Sequence, residues 1–338
     1  MKKYYPILLS KSGELVALKN IFDEVKGGVS PIIQVLPGTD SKVLDFARDH
    51  WSEKNYELLI DFSLFKPFDE EKIANLIDGL LLIGVNAIPV ISIDSDPRYL
   101  TMINKLKSTF MIDRVAIRLI SNNGDFLKIN ENIESLLTDV WLERPEVLLI
   151  LDFGLINKGN TDYFTTIATK IIPSLHAVED FSSIIISSGS FPENLTNFLP
   201  SPNFYLIERY EWTFWKNLKS TSEYSHLISY SDYGTKNPVY VDANFAGTCS
   251  VKYTLEESYL IYRGEKSNNH PNGHGQFIDF ANSLILSPEY SGETFSWGDG
   301  RVMEIAREKG KKDPKPGSLE SWVQISQNHH ISLIHHLL

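Results

Sequence analysis

The chain has 338 residues, with 43 Asp and Glu against 32 Lys and Arg and a formal net charge of -11 at pH 7. That balance opposes long nucleic-acid backbones and anionic membranes, so unassisted binding to duplex DNA is not expected. Hydrophobic residues make up 42% and charged residues 22%, enough for a large core, and no stretch approaches the ~20 apolar residues that cross a bilayer. Cys249 is the single cysteine, which allows no internal disulfide and points to a reducing compartment. Met1–Ser10 carries no long apolar leader core, and a cytoplasmic location is expected.

Short apolar runs recur along the chain roughly every 30 residues, the spacing of strand–helix units. In order they are Pro6–Leu9, Pro31–Leu36, Leu58–Asp61, Ile88–Ile91, Val115–Arg118, Val147–Asp152, Ile184–Ser187, Phe204–Glu208 and Leu227–Tyr230. Continuous apolar runs suit strands buried on both faces, as in parallel sheets. Between them lie stretches with helical spacing. Glu71–Ile83 places Ile73, Leu76, Ile77, Leu80 and Leu81 on one side, and Tyr163–Leu175 does the same with Phe164, Ile167, Ile171 and Leu175.

The expected fold class is α/β: a (β/α)8-type parallel barrel with a C-terminal α+β appendage. An open dinucleotide-binding sheet would show a Gly-rich first turn, which is absent. The runs exceed by one what a barrel needs. Phe204–Glu208 is the weakest member, because its link from Ile186 is short and holds Pro192, Pro200 and Pro202; an extra or antiparallel strand is the alternative. The barrel is expected over 1–236 and the appendage over 237–338. In the appendage Val251–Thr254 and Tyr259–Arg263 suggest a hairpin around Glu256 and Glu257, Gln276–Leu286 a helix, and Ser291–Gly300 a loop.

Barrel chemistry sits at the C-terminal ends of the strands. Reading there gives Asp61, Asp94, Arg118, Asp152, Ser188, Glu208 and Asp232. Asp61, Asp152, Glu208 and Asp232 are the catalytic candidates, since clustered carboxylates act as acid and base or hold a divalent metal. The competing account is that each polar residue only ends its strand and caps the next helix. Arg118 lies inside an apolar run, and a buried Arg needs a carboxylate or a bound anion; a structural pair with Asp152 or Asp61 is one outcome. Lys309, Lys311, Lys312 and Lys315 read as a solvated loop. His270 and His274 flank Pro271 and Gly273, so the helical i, i+4 geometry that suits zinc is unavailable to them.

Short motifs in chain order resemble the phage beta protein family. They are Tyr4-Tyr5-Pro6-Ile7-Leu8, Lys11-Ser12-Gly13-Glu14 with Ala17-Leu18, Ser188-Gly189-Ser190-Phe191-Pro192, Asp232-Tyr233-Gly234, Tyr253-Thr254, Tyr262-Arg263-Gly264, and Trp322 with His329-His330. The resemblance covers nearly the whole chain. It implies a setting in phage–host conflict and supplies no catalytic residues; Lys11, Asp232, Arg263 and His330 carry over as family-like positions without an assigned role. Lys11, Arg118, Tyr233, Arg263 and His330 are the ligand-binding candidates. The leading expectation is a hydrolase or phosphodiesterase acting on a phosphate-bearing ligand, with Arg118 and Arg263 on the anion. The alternative is a non-catalytic recognition or scaffold subunit that senses a phage protein or a nucleotide.

Overall fold

A computed structural model describes residues 3–52, 56–242 and 247–338. The strands are β1 (Ile7–Leu9), β2 (Ile32–Gln34), β3 (Glu57–Asp61), β4 (Asn86–Ile91), β5 (Val115–Ile120), β6 (Val147–Leu155), β7 (Ser183–Gly189), β8 (Phe204–Glu208), β9 (Ile228–Asp232), β10 (Thr248–Thr254) and β11 (Ser258–Lys266). They form two sheets. One has eight strands in the order β1-β2-β3-β4-β5-β6-β7-β9, and the other has three in the order β10-β11-β8.

The eight-stranded sheet is parallel throughout. Its ends meet where the Tyr5 amide donates to the Tyr230 carbonyl at 2.9 Å and Tyr4 bridges Tyr230. The result is a nearly closed barrel surrounded by helices. Its strands are buried on both faces, which is why each reads as an unbroken apolar run rather than an alternating one. The lumen core comprises Tyr5, Ile7, Ile32, Leu59, Ile88, Val90, Ala116, Leu148, Ile150, Ile185 and Tyr233.

The helices form where the apolar spacing places them. The helix Glu70–Leu82 buries Ile73, Leu76, Ile77 and Leu80, and its cap Asp69 accepts from the Lys72 amide. Thr161–Ser174 forms as a helix but turns a slightly different face inward: it buries Phe164, Ala168 and Ile172, while Ile167 and Ile171 of the expected face are only half-buried. Across the lumen floor Glu57 accepts from Lys3 at 2.6 Å, Arg114 at 2.6 Å and Ser30 at 2.8 Å. Burial opposes its charge, but these donors outweigh it and hold the carboxyl at about 2.

The chain divides into two compact units. The first gathers Met1–Lys11, Gly27–Gly189 and Tyr210–Tyr233, and the second Ser12–Lys26, Ser190–Arg209 and Gly234–Leu338. In the second, β10 and β11 form the expected hairpin, and β8 adds antiparallel to β11. Phe204–Glu208 is therefore the run that stands outside the barrel, and the Pro-rich link before it is its physical signature. A helix at Trp297–Ala306, capped by Ser296, begins inside the expected Ser291–Gly300 loop. The hydroxyl of Ser296 accepts from the Asp299 amide, a cap signal that the glycines around it obscure. No helix among the described residues is long and apolar enough to cross a membrane.

Candidate functional site

Residues of three strands and the residue after a fourth converge on one buried cluster in the barrel. Arg118 on β5 donates through Nη1 to Asp61 Oδ2 at 2.5 Å. Through Nε at 3.0 Å and Nη2 at 2.6 Å it donates to Asp152 Oδ2. Nη2 also lies 2.7 Å from the Tyr233 hydroxyl, which itself donates to Asp152 Oδ2 at 2.5 Å. Asp152 is 0% exposed, Asp61 2%, Tyr233 3% and Arg118 5%, so these charges lie out of reach of solvent screening. Burial pushes the Tyr233 phenol well above its ordinary pKa, and the Asp152 carboxylate adds to that. For Arg118 burial opposes the charge, yet the groups facing it outweigh burial and keep it protonated.

The two carboxylates are not equivalent. Asp152 accepts four donors: Arg118 twice, Tyr233, and the Gly154 amide at 2.9 Å on Oδ1. Gly154 holds φ +64, the left-handed backbone that glycine adopts without strain and that follows the carboxylate it caps. Asp61 accepts only from Arg118 and from the Ser63 amide at 2.8 Å. A carboxylate offers about four lone-pair sites; Asp152 accepts four donors, three of them on Oδ2, whereas Asp61 accepts one on each oxygen and is half open.

Register adds two residues that the strand-end reading missed. Asp152 pairs with Ser187 across β6 and β7, and Ser187 with Ser231 across β7 and β9. Paired residues share a face, so both serines face the lumen beside Asp152. Each is 0% exposed, and neither hydroxyl has a hydrogen-bond partner among the described residues. Gln34 pairs with Asp61 and lines the same face. The signal was the period-two spacing from Ile185 to Ser187 and from Ser231 to Tyr233.

The remaining candidates lie elsewhere. Ser188 and Asp232 are one residue out of phase with Ser187 and Ser231 and face outward from the barrel. There Tyr4 donates to Asp232 at 2.5 Å, Tyr4 stacks on Tyr230, and Trp212 and Trp215 pack against Tyr230. Lys11 is exposed just past β1, and Asp94 is exposed beyond β4. Glu208 ends β8 in the antiparallel sheet and is exposed, so it is not a barrel rim residue. Among the described residues no group of three or more His, Cys, Asp and Glu is placed to hold a metal. Between Asp61 and Asp152 the guanidinium of Arg118 takes the position a bridging ion would need.

In the second unit, Arg263 on β11 donates from Nε to the Leu195 carbonyl at 3.2 Å and from Nη1 to the Gly264 carbonyl at 3.0 Å. His330 is buried, with Nδ1 3.0 Å from Thr254 Oγ1. Its neighbour His329 is the centre of a larger network. His329 Nδ1 lies 2.8 Å from Asp299 Oδ2, and Nε2 lies 2.8 Å from the Thr254 carbonyl. Both ring nitrogens therefore have a hydrogen-bonding partner. Asp299 also accepts from Ser296 at 2.5 Å and Tyr253 at 2.7 Å. Burial works against its charge, but His329 and these hydroxyls outweigh it and hold the carboxyl below its ordinary range. Gly234 has φ +61, and a Cβ there would meet Gln327 Oε1 at 2.1 Å, which explains a glycine after Asp232-Tyr233.

Residues 4–336 match the family described as Beta protein. "Protein beta" of Enterobacteria phage P4 is 24% identical over 357 residues, covering 97% of this chain and 92% of the phage protein. Nearly the whole chain, barrel and second unit alike, is thus matched in one span, and the chain belongs to the Beta protein family.

Proposed function

We propose that this protein is a hydrolase acting in phage–host conflict, with Asp61 as its acting carboxylate. The observation that carries the reading is the inequality of the two lumen carboxylates. A base needs a free lone pair. Asp152, held by four donors, positions Arg118 and Tyr233; Asp61, held by two, keeps lone pairs to take a proton from an attacking water. Arg118 aligns Asp61 without supplying a free cation, because two carboxylates already surround it. The cluster lies at the C-terminal strand ends, where barrel enzymes carry their chemistry.

The test is a screen of chromogenic esters, including bis(p-nitrophenyl) phosphate, with wild type and Asp61→Asn. Wild-type turnover that falls by ~100-fold or more in the variant supports the reading. Equal turnover in both, or none with any ester, would sink it. Phage plating on cells with and without the protein tests the biological setting; unchanged plating for every phage tried counts against phage–host conflict.

A second reading, recognition of a phage protein or a nucleotide, has its own support in the second unit. Arg263 contacts backbone carbonyls and has no carboxylate partner among the described residues, so its charge remains for a phosphate-bearing ligand or an acidic segment. On the same sheet β8 is an edge strand with Phe204 44% and Leu206 58% exposed, a surface that a protein partner could cover. An Arg263→Ala variant that loses phage protection but keeps ester turnover would favour this reading.

A further inference from the structure

The barrel's polar layer holds two carboxylates and one guanidinium, so it carries one net negative charge with Asp61, Asp152 and Arg118 all at most 5% exposed. An uncompensated buried charge is costly and is normally matched by a counter-charge. In the same layer, Ser187 and Ser231 present hydroxyls with no partner among the described residues. Orphaned buried hydroxyls are rare in folded proteins, because each loses its hydration without replacement. The missing charge and the missing partners call for the same thing: a positively charged group with several donors.

We infer that the lumen layer formed by Asp61, Asp152, Ser187 and Ser231 binds a primary ammonium group of a small ligand. An ammonium has three N–H donors and one positive charge. It neutralises the layer, and its three donors match the two serine oxygens and one open lone pair of Asp61. A phosphate would add negative charge to a layer already negative, with Arg118 shared between its two carboxylates. A quaternary ammonium has the charge but no N–H to give. The inference rests on the reading that places the functional end of the barrel at Asp61 and names the ligand class for that end.

The probes are methylammonium chloride, tetramethylammonium chloride and sodium phosphate at matched ionic strength, read by thermal unfolding and by calorimetric titration. Methylammonium raises Tm in a concentration-dependent way because it binds the folded state alone; the other two do not. Ser187→Ala and Ser231→Ala abolish the methylammonium shift and leave the unliganded Tm unchanged or higher, since each removes an unpaired group. Equal shifts with methylammonium and tetramethylammonium, or a methylammonium shift that survives both serine substitutions, would overturn the inference. Methylammonium binding without hydrolysis of any ester would uphold it while removing the hydrolase reading.

Discussion

The barrel lumen and the second unit each bury an ionic network, and the two are built differently. Around His329 one imidazole faces one carboxylate, and the Asp299 oxygens and both imidazole nitrogens have partners. Around Arg118 one cation faces two carboxylates, and two nearby hydroxyls have none among the described residues. Buried polar groups that are fully satisfied rigidify a fold, whereas partly satisfied ones cost stability unless something else completes them. The satisfied network is thus a structural brace for the helix Leu319–Leu337, and the unsatisfied one is the layer to which we assign a ligand.

The sharpest way to break that contrast is Arg118→Met. It strands two carboxylates that are 2% and 0% exposed, and ~5 kcal/mol of unfolding free energy should be lost in urea titration. Arg118→Lys should recover little, because a single ammonium cannot reproduce the fork that spans Asp61, Asp152 and Tyr233. A loss below ~1 kcal/mol would mean that the lumen relaxes or hydrates and that its charge imbalance has no weight.

His329→Leu should cost less, ~3 kcal/mol, because it strands a single carboxylate that keeps its hydroxyl donors. If it costs more than Arg118→Met, the assignment of brace and binding layer is reversed.

Acid tests both units through a smaller effect. A carboxyl whose pKa is lower in the folded state binds its proton more readily when unfolded, so stability rises with pH across the gap. For Glu57 at the lumen floor the gap runs from 4.5 down to about 2. Its contribution should be complete above about pH 4.5 and lost as pH falls toward about 2, with the slope flattened by Glu57→Gln. Asp299 shifts in the same direction, so Asp299→Asn should flatten the acid limb as well. A limb unchanged in both variants would show that neither carboxylate is held as the geometry indicates.

The smallest expected effect carries the opposite sign. Ser187→Ala and Ser231→Ala should leave unliganded stability unchanged or raise it by up to about 1 kcal/mol, since a buried hydroxyl without a partner is a cost. A loss of more than ~1 kcal/mol on urea titration would mean that these hydroxyls are satisfied and that the two networks are alike.

Much of the fold was legible because its cause is local. Strands buried on both faces must be continuously apolar, so β1 to β7 and β9 announced themselves as runs, and the proline-rich link marked β8 as the outsider. The site was legible in part. Arg118 stood out inside an apolar run, and Asp61 and Asp152 followed from strand ends. Ser188 and Asp232 were taken from the same ends, yet the lumen residues are Ser187 and Ser231, because one position along a strand reverses the face. Asp299, between two glycines, looked like part of a loop and is the buried partner of His329.

The sequence by itself determined the alternation of strand and helix, the hairpin of β10 and β11, and the presence of an arginine that had to find negative charge. Those follow from spacing and burial along a short stretch of chain. Only the tertiary structure decided that Arg118 meets two carboxylates and a tyrosine, that Asp152 accepts four donors while Asp61 accepts two, and that two serines face them unpaired. Each of these depends on which residues of distant strands share a row and a face. Barrel closure sets that register across more than a hundred residues of separation between Arg118 and Tyr233, and no local pattern encodes it.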